Sequence, residues 1–145
     1  MKNILNQEVD GLYVGQLIDL LLERKEGYLK ASEKMLDPYL KQLFLSNSEI
    51  TNSIMQEIYK ISENEYLSDN IYEWKSWIDT KEAIVWEERT QLLEACIKGE
   101  QNLIYFYMDL IKSDHIPSEL KEILQRQLSQ IKSACDLLKV FKISL

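Results

Sequence analysis

The chain has 145 residues with 17 Lys and Arg against 24 Asp and Glu, a formal charge of −7, and this acidic balance argues against a nucleic-acid binder, whose phosphate contacts need a clustered basic face. The length fits a single domain, 1–145, and a hydrophobic fraction of 46% excludes a disordered chain. Only 4 Gly and 2 Pro are present, too few turn formers for the reversals of an all-β protein, so an all-α fold is expected.

Residues 1–10 contain no uninterrupted apolar stretch of the kind a secretory signal needs. No run approaches the ~20 apolar residues that span a bilayer, so a cytoplasmic chain without a membrane segment is expected. From Tyr13 onward apolar residues recur at Leu17, Leu20, Leu21, Tyr28, Ala31 and Met35, the three-to-four spacing of a helix over about 13–36. Asp37-Pro38 then supplies a side-chain acceptor at an N-cap and a proline at the first helical position, where its missing N–H costs nothing. The second helix is therefore placed at about 38–61, with a stripe of Leu40, Leu43, Phe44, Asn47, Thr51, Ile54, Ile58 and Ile61.

A shorter amphipathic piece follows at about 69–84, carrying Ile71, Trp74, Trp77 and Ile78. The third long helix, about 86–112, has Leu93, Cys96, Ile97, Glu100, Leu103, Ile104, Tyr107, Leu110 and Ile111 on its stripe. Its segment from Leu103 to Met108 is apolar all round, which requires cover on more than one face, from the tryptophan-bearing piece or from a second subunit. After a turn at Ser113–Ile116, Pro117 opens a fourth helix, about 117–142, with Leu120, Leu124, Gln127, Leu128, Ile131, Cys135, Leu138 and Phe141.

Four long helices with short turns inside each pair and a long link between the pairs describe a bundle with one helical crossover, the ferritin-like arrangement. Some twenty residues between the second and third helices exclude an up-and-down bundle with every loop short.

The residues also resemble a family, the bacterial ferritin-like four-helix-bundle proteins of unknown function, over nearly the whole chain. The resemblance rests on Glu26-Gly27-Tyr28 with Lys30-Ala31, Asp37-Pro38 with Leu40-Lys41 and Leu43-Phe44, and Trp77-Ile78-Asp79 with Lys81. It continues through Cys96, Lys98-Gly99-Glu100, Ile116-Pro117, Gln127 and Ile131-Lys132. Members of that family typically carry acids on either side of the third-helix cysteine, where this chain has Ala95 and Ile97, and an Asp where it has Gln101. A His-Asp pair usual in the fourth helix appears as Cys135-Asp136, and a crossover His as Trp74. The resemblance thus implies the fold together with a depleted set of metal ligands.

Motifs that carry chemistry are sparse. A di-iron or di-manganese centre in such a bundle takes a Glu from each of two helices and a Glu-x-x-His from each of the others, and no Glu-x-x-His occurs. Glu100 lies squarely on a core stripe and is the one weak metal candidate. His115, the only histidine, is read as a turn residue, with a surface metal ligand as the alternative. Glu26, a characteristic acid in the resemblance, falls on the side of its helix away from the apolar stripe and is read as solvated. Gly27 and Gly99 each cost roughly 1 kcal/mol inside a helix and are read as places of close helix approach. The 8 Tyr and 3 Trp are read as core rather than as a ligand pocket. No G-x-S-x-G, P-loop or G-x-G-x-x-G is present to support a hydrolase or a nucleotide site.

Cys96 and Cys135 are too few for a disulfide framework and form no C-x-x-C. Partners on two antiparallel helices that turn near residues 115 and 116 have numbers summing to about 231, and 96 + 135 = 231, so the two cysteines are expected in one layer as buried thiols, with a disulfide as the alternative.

Depth counted from the turn at Asp37 predicts a polar layer. Arg24 lies 37 − 24 = 13 residues down the first helix, Thr51 lies 51 − 37 = 14 down the second, and Glu100 lies 100 − 87 = 13 down the third. At about 1.5 Å per residue that level is some 20 Å deep, mid-bundle, where ferritin-like metal sites occur. Arg24 is expected to pair with Glu100, assisted by Asn47, Thr51 and Gln127, its guanidinium supplying the charge a metal would bring; the alternative is that Arg24 extends its head to the surface while Glu100 bonds a neighbouring Tyr or Gln. The function expected is non-enzymatic: a bundle that has lost its metal chemistry, needs no cofactor and acts through protein association as a homodimer. The alternative is a ferritin-like stress protein that binds iron or manganese.

Overall fold

The computed structural model of the chain describes residues 4–62 and 89–143, with side-chain burial from 13 to 61 and from 89 to 143. All four elements among the described residues are α-helices: α1 (Ile4–Lys34), α2 (Pro38–Ser62), α3 (Arg89–Lys112) and α4 (Ser118–Ile143). The crossover helix read at 69–84, with Trp74, Trp77, Asp79 and Lys81, lies outside the described residues, as do residues 86–88 at the expected start of the third helix.

Local chemistry sets the boundaries. Asp37 Oδ1 accepts the backbone N–H of Tyr39 at 2.9 Å and of Leu40 at 3.4 Å, and its carbonyl accepts Lys41 N–H at 2.9 Å. These bonds satisfy amide groups that have no partner inside the first turn of α2. The last helical bond of α1 runs from Met35 N–H to the Ala31 carbonyl at 3.0 Å, and Pro38 disfavours helical backbone at Asp37. The first helix therefore stops at Lys34, two residues short of the predicted 36. Its beginning departs further, at Ile4 in place of residue 13. Leu5, Val9 and Leu12 continue the apolar spacing toward the N-terminus, and Gly11 and Gly15, each unfavourable to helix by roughly 1 kcal/mol, mask it in the sequence. At the other turn the Pro117 carbonyl accepts Lys121 N–H at 2.9 Å, so α4 begins at Ser118 and Pro117 stands just outside it.

The helices form a square in which α1 packs on α2 and α3, and α4 packs on α3 and α2. Arg89 at the start of α3 reaches Asp37, with Nε 3.9 Å from Oδ2, so α3 starts at the end of the bundle where α1 turns into α2. Taken from there, α1 and α4 run in one direction and α2 and α3 in the other.

Two apolar clusters fill the interior. Leu17, Leu21, Ile54, Ile58, Leu103, Tyr107, Leu120 and Leu124 are in the cluster toward the α3–α4 turn. Tyr28, Ala31, Leu40, Phe44, Leu93, Cys96, Cys135 and Leu138 are in the cluster toward the α1–α2 turn. Within the described helices residues 103–108 are covered on one side: Leu103 and Tyr107 are fully buried, Ile104, Phe106 and Met108 half-buried, and Tyr105 66% exposed, while the 69–84 piece expected to cover the rest lies outside the described residues. Burial on α3 is widest earlier, where Leu92, Leu93, Ala95, Cys96, Ile97, Gly99 and Glu100 are all buried.

Candidate functional site

Between the two apolar clusters lies a level of buried polar side chains that includes Arg24 of α1, Asn47 and Thr51 of α2, Glu100 of α3 and Gln127 of α4. Each sits on the apolar stripe of its own helix, so burying that stripe carries the polar group inward with it. A charge taken out of water in this way needs a partner of matched geometry. Arg24 has one: its Nε donates to Glu100 Oε1 at 2.7 Å and its Nη2 to Glu100 Oε2 at 2.8 Å, a two-bond fork in which both carboxylate oxygens are engaged. The third edge of the guanidinium, Nη1, donates to Thr51 Oγ1 at 2.5 Å, and Thr51 donates onward to the Asn47 carbonyl at 2.6 Å. Arg24 Cζ lies 5.1 Å from the centre of the Tyr28 ring, which packs in turn on Phe44 at 5.7 Å. A guanidinium over an aromatic face gains a further attraction once water is excluded.

The level contains a second, separate chain of bonds. Tyr107 donates its hydroxyl to Gln127 Oε1 at 2.8 Å, and Gln127 Nε2 donates to the Ile54 carbonyl at 3.2 Å, which ties α2, α3 and α4 together. The expected assistants of the ion pair therefore divide. Thr51 bonds Arg24 directly. Asn47 contributes its backbone carbonyl while its side-chain Nδ2 is buried without a hydrogen bond, and Gln127 serves Tyr107 instead of Arg24. Tyr28 and Tyr107 also belong to the layer; the sequence places both on apolar stripes without assigning them to it, although Tyr28 follows Arg24 by four residues and so shares its helix face.

Electrostatics follow burial. Burial opposes the charge on Arg24, but the Glu100 carboxylate outweighs it, and the guanidinium is held above its ordinary pKa. Burial raises the Tyr28 and Tyr107 phenols, with Glu100 adding to the effect on both, and raises the Cys96 thiol, again reinforced by Glu100. Cys135 is raised by burial as well. Both cysteines are free and belong to one apolar cluster; as protonated thiols they are poor nucleophiles.

The remaining singled-out residues lie apart. Glu26 is exposed on α1, and His115 is exposed in the α3–α4 turn, its N–H donating to Ser113 Oγ at 3.2 Å. Gly27 and Gly99, the first one turn along from Arg24 and the second adjacent to Glu100, are buried, so neither leaves room for a larger side chain between packed helices. Among the described residues no three His, Cys, Asp or Glu gather where they could hold a metal ion. Glu100, the metal candidate of the sequence, has both oxygens on Arg24, so this donor set does not fit a dinuclear centre. No helix among the described residues is long and apolar enough to cross a membrane. No family model, no curated protein and no solved structure matches the chain.

Proposed function

We propose that this chain is a ferritin-like bundle that has given up its metal centre, a non-enzymatic protein that acts by associating with protein, first of all with a second copy of itself. The observation that carries the reading is the Arg24 guanidinium seated on Glu100 at mid-bundle, with both carboxylate oxygens engaged. At the level where such bundles gather carboxylates and imidazoles around two cations, the carboxylate of Glu100 is held by the cationic side chain of Arg24. The helix directions support the ferritin-like assignment, since α2 ends and α3 begins at opposite ends of the bundle while the other two connections are short turns. Support for association comes from α3, where Tyr105 is 66% exposed beside the half-buried Ile104, Phe106 and Met108; exposed apolar side chains close together on a surface are a mark of interfaces.

Two measurements test the proposal. Protein purified without chelators is expected to carry far less than one iron or manganese per chain; about two per chain, the content of a dinuclear centre, would overturn it in favour of a metal-binding stress protein. Light scattering at micromolar concentration is expected to give twice the chain mass of 17.1 kDa, and a species of single-chain mass that persists as concentration rises would overturn the self-association.

A further inference from the structure

At the end of the bundle away from Asp37, where α1 passes the last turn of α3, Tyr13, Phe106, Asp109, Leu110, Ser113 and His115 line a groove of about 280 Å³. Small-molecule sites usually span roughly 300–1,000 Å³, so the volume suits a compact ligand. Its described lining combines two aromatic rings and one carboxylate with the imidazole of His115. Tyr13 is 40% exposed and Phe106 half-buried, and an aromatic face is the negative pole of the ring's quadrupole. Asp109 is exposed and three residues from Phe106, so its carboxylate belongs to the same side of α3. The groove lies at the C-terminal end of α3, where the last carbonyls carry partial negative charge. Among the described lining residues there is no Lys or Arg. The wall is also braced: Ser113 N–H bonds the Leu110 carbonyl at 3.0 Å, and His115 N–H bonds Ser113 Oγ at 3.2 Å.

From this we infer that the groove binds a small organic cation, an alkylated ammonium of about the size of choline, between the rings of Tyr13 and Phe106 with the charge facing Asp109. Among the described lining residues a bare divalent ion would find a single carboxylate, Asp109, whereas calcium takes 6–8 oxygen ligands. A neutral apolar ligand would leave the carboxylate unused. An alkylated ammonium uses both features, because its methyl groups carry the positive charge onto the ring faces, and the overall charge of −7 favours its approach. The inference is independent of metal loss.

Titration of the native protein with choline and with its neutral carbon isostere, dimethylbutanol, followed by two-dimensional amide NMR, tests it. Choline is expected to give saturable shifts at Asp109, Ser113 and His115. The neutral isostere should bind about tenfold more weakly or less, the factor that 1.4 kcal/mol produces. Asp109→Asn and Phe106→Leu should each weaken choline by a similar factor, while Lys142→Gln at the opposite end leaves it unchanged. Equal affinity for choline and the isostere would overturn the proposal in favour of a plain apolar groove. Absence of any saturable shift up to about 0.1 M choline, a concentration worth only ~1.4 kcal/mol of binding, would overturn the site itself. Should Phe106→Leu fail to fold, the exposed Asp109→Asn and the two ligands still decide.

Discussion

Two arginine–glutamate pairs tie this bundle together across different interfaces. Arg24–Glu100 joins α1 to α3 with side chains 2% and 0% exposed, and Arg126–Glu57 joins α4 to α2 with side chains 54% and 32% exposed. Both are two-bond forks: Arg24 uses Nε and Nη2, and Arg126 donates Nη1 to Glu57 Oε1 at 3.3 Å and Nη2 to Oε2. Their chemistry is the same, yet their consequences differ because of the water around them. Around Arg126 solvent remains to solvate either charge if the other is removed, and salt screens the attraction. Around Arg24 there is none, so each charge depends on its partner. The third arginine is intermediate, with Arg89 and Asp37 about one-third exposed and 3.9 Å apart; Asp37 has the further task of capping α2.

The comparison breaks first, and by the largest margin, at Glu100. Glu100→Ala leaves a buried guanidinium unpaired and is expected to destabilise the fold by roughly 3–5 kcal/mol, seen as a fall in thermal midpoint of about 6–20 °C for a chain of this size. Combining it with an apolar residue at Arg24, as in Arg24→Met with Glu100→Leu, should recover much of that loss. Strictly additive single and double variants in urea unfolding would show that the buried fork is no more coupled than a surface one.

A smaller effect sharpens the question of whether charge or burial matters. Tyr107→Phe removes the donor to Gln127 Oε1 without touching any charge. Leaving that oxygen unsatisfied in the interior should cost about 1–3 kcal/mol, read as a lower urea midpoint at unchanged slope. A variant as stable as the parent would mean that the second chain of bonds contributes nothing net.

The smallest effect belongs to the surface pair. Glu57 titrates below the ordinary glutamate range, chiefly because Arg126 bonds its charged form. A carboxyl with a lowered folded pKa stabilises above its unfolded value of about 4.3, and that contribution is lost as pH falls through the lowered folded value. Glu57→Gln should therefore shift the neutral-pH midpoint slightly, and less at high salt, with the difference from the parent vanishing in strong acid. A difference that grows on acidification would reverse the assigned sign.

How much of this was readable beforehand depends on the range of the interaction. The three-to-four spacing, the Asp37-Pro38 start and the scarcity of Gly and Pro settle the four helices of the described residues, because those signals act within a turn or two of backbone. Counting from Asp37 also put Arg24, Thr51 and Glu100 at one level, since a helix rises by a fixed amount per residue. Level and face are as far as periodicity reaches. Whether Arg24 turned inward or extended to the surface, whether Gln127 served Arg24 or Tyr107, and whether the Asn47 amide found a partner were decided by approaches of 2.5–3.2 Å between helices distant in sequence. A shift of one ångström or a rotated side chain reassigns such bonds, and no pattern along a single helix contains that information. The wide burial at Leu92–Glu100 and the one-sided burial at Leu103–Met108 follow the same rule, because apolarity states what a residue tolerates, while the neighbouring helices determine which side is covered.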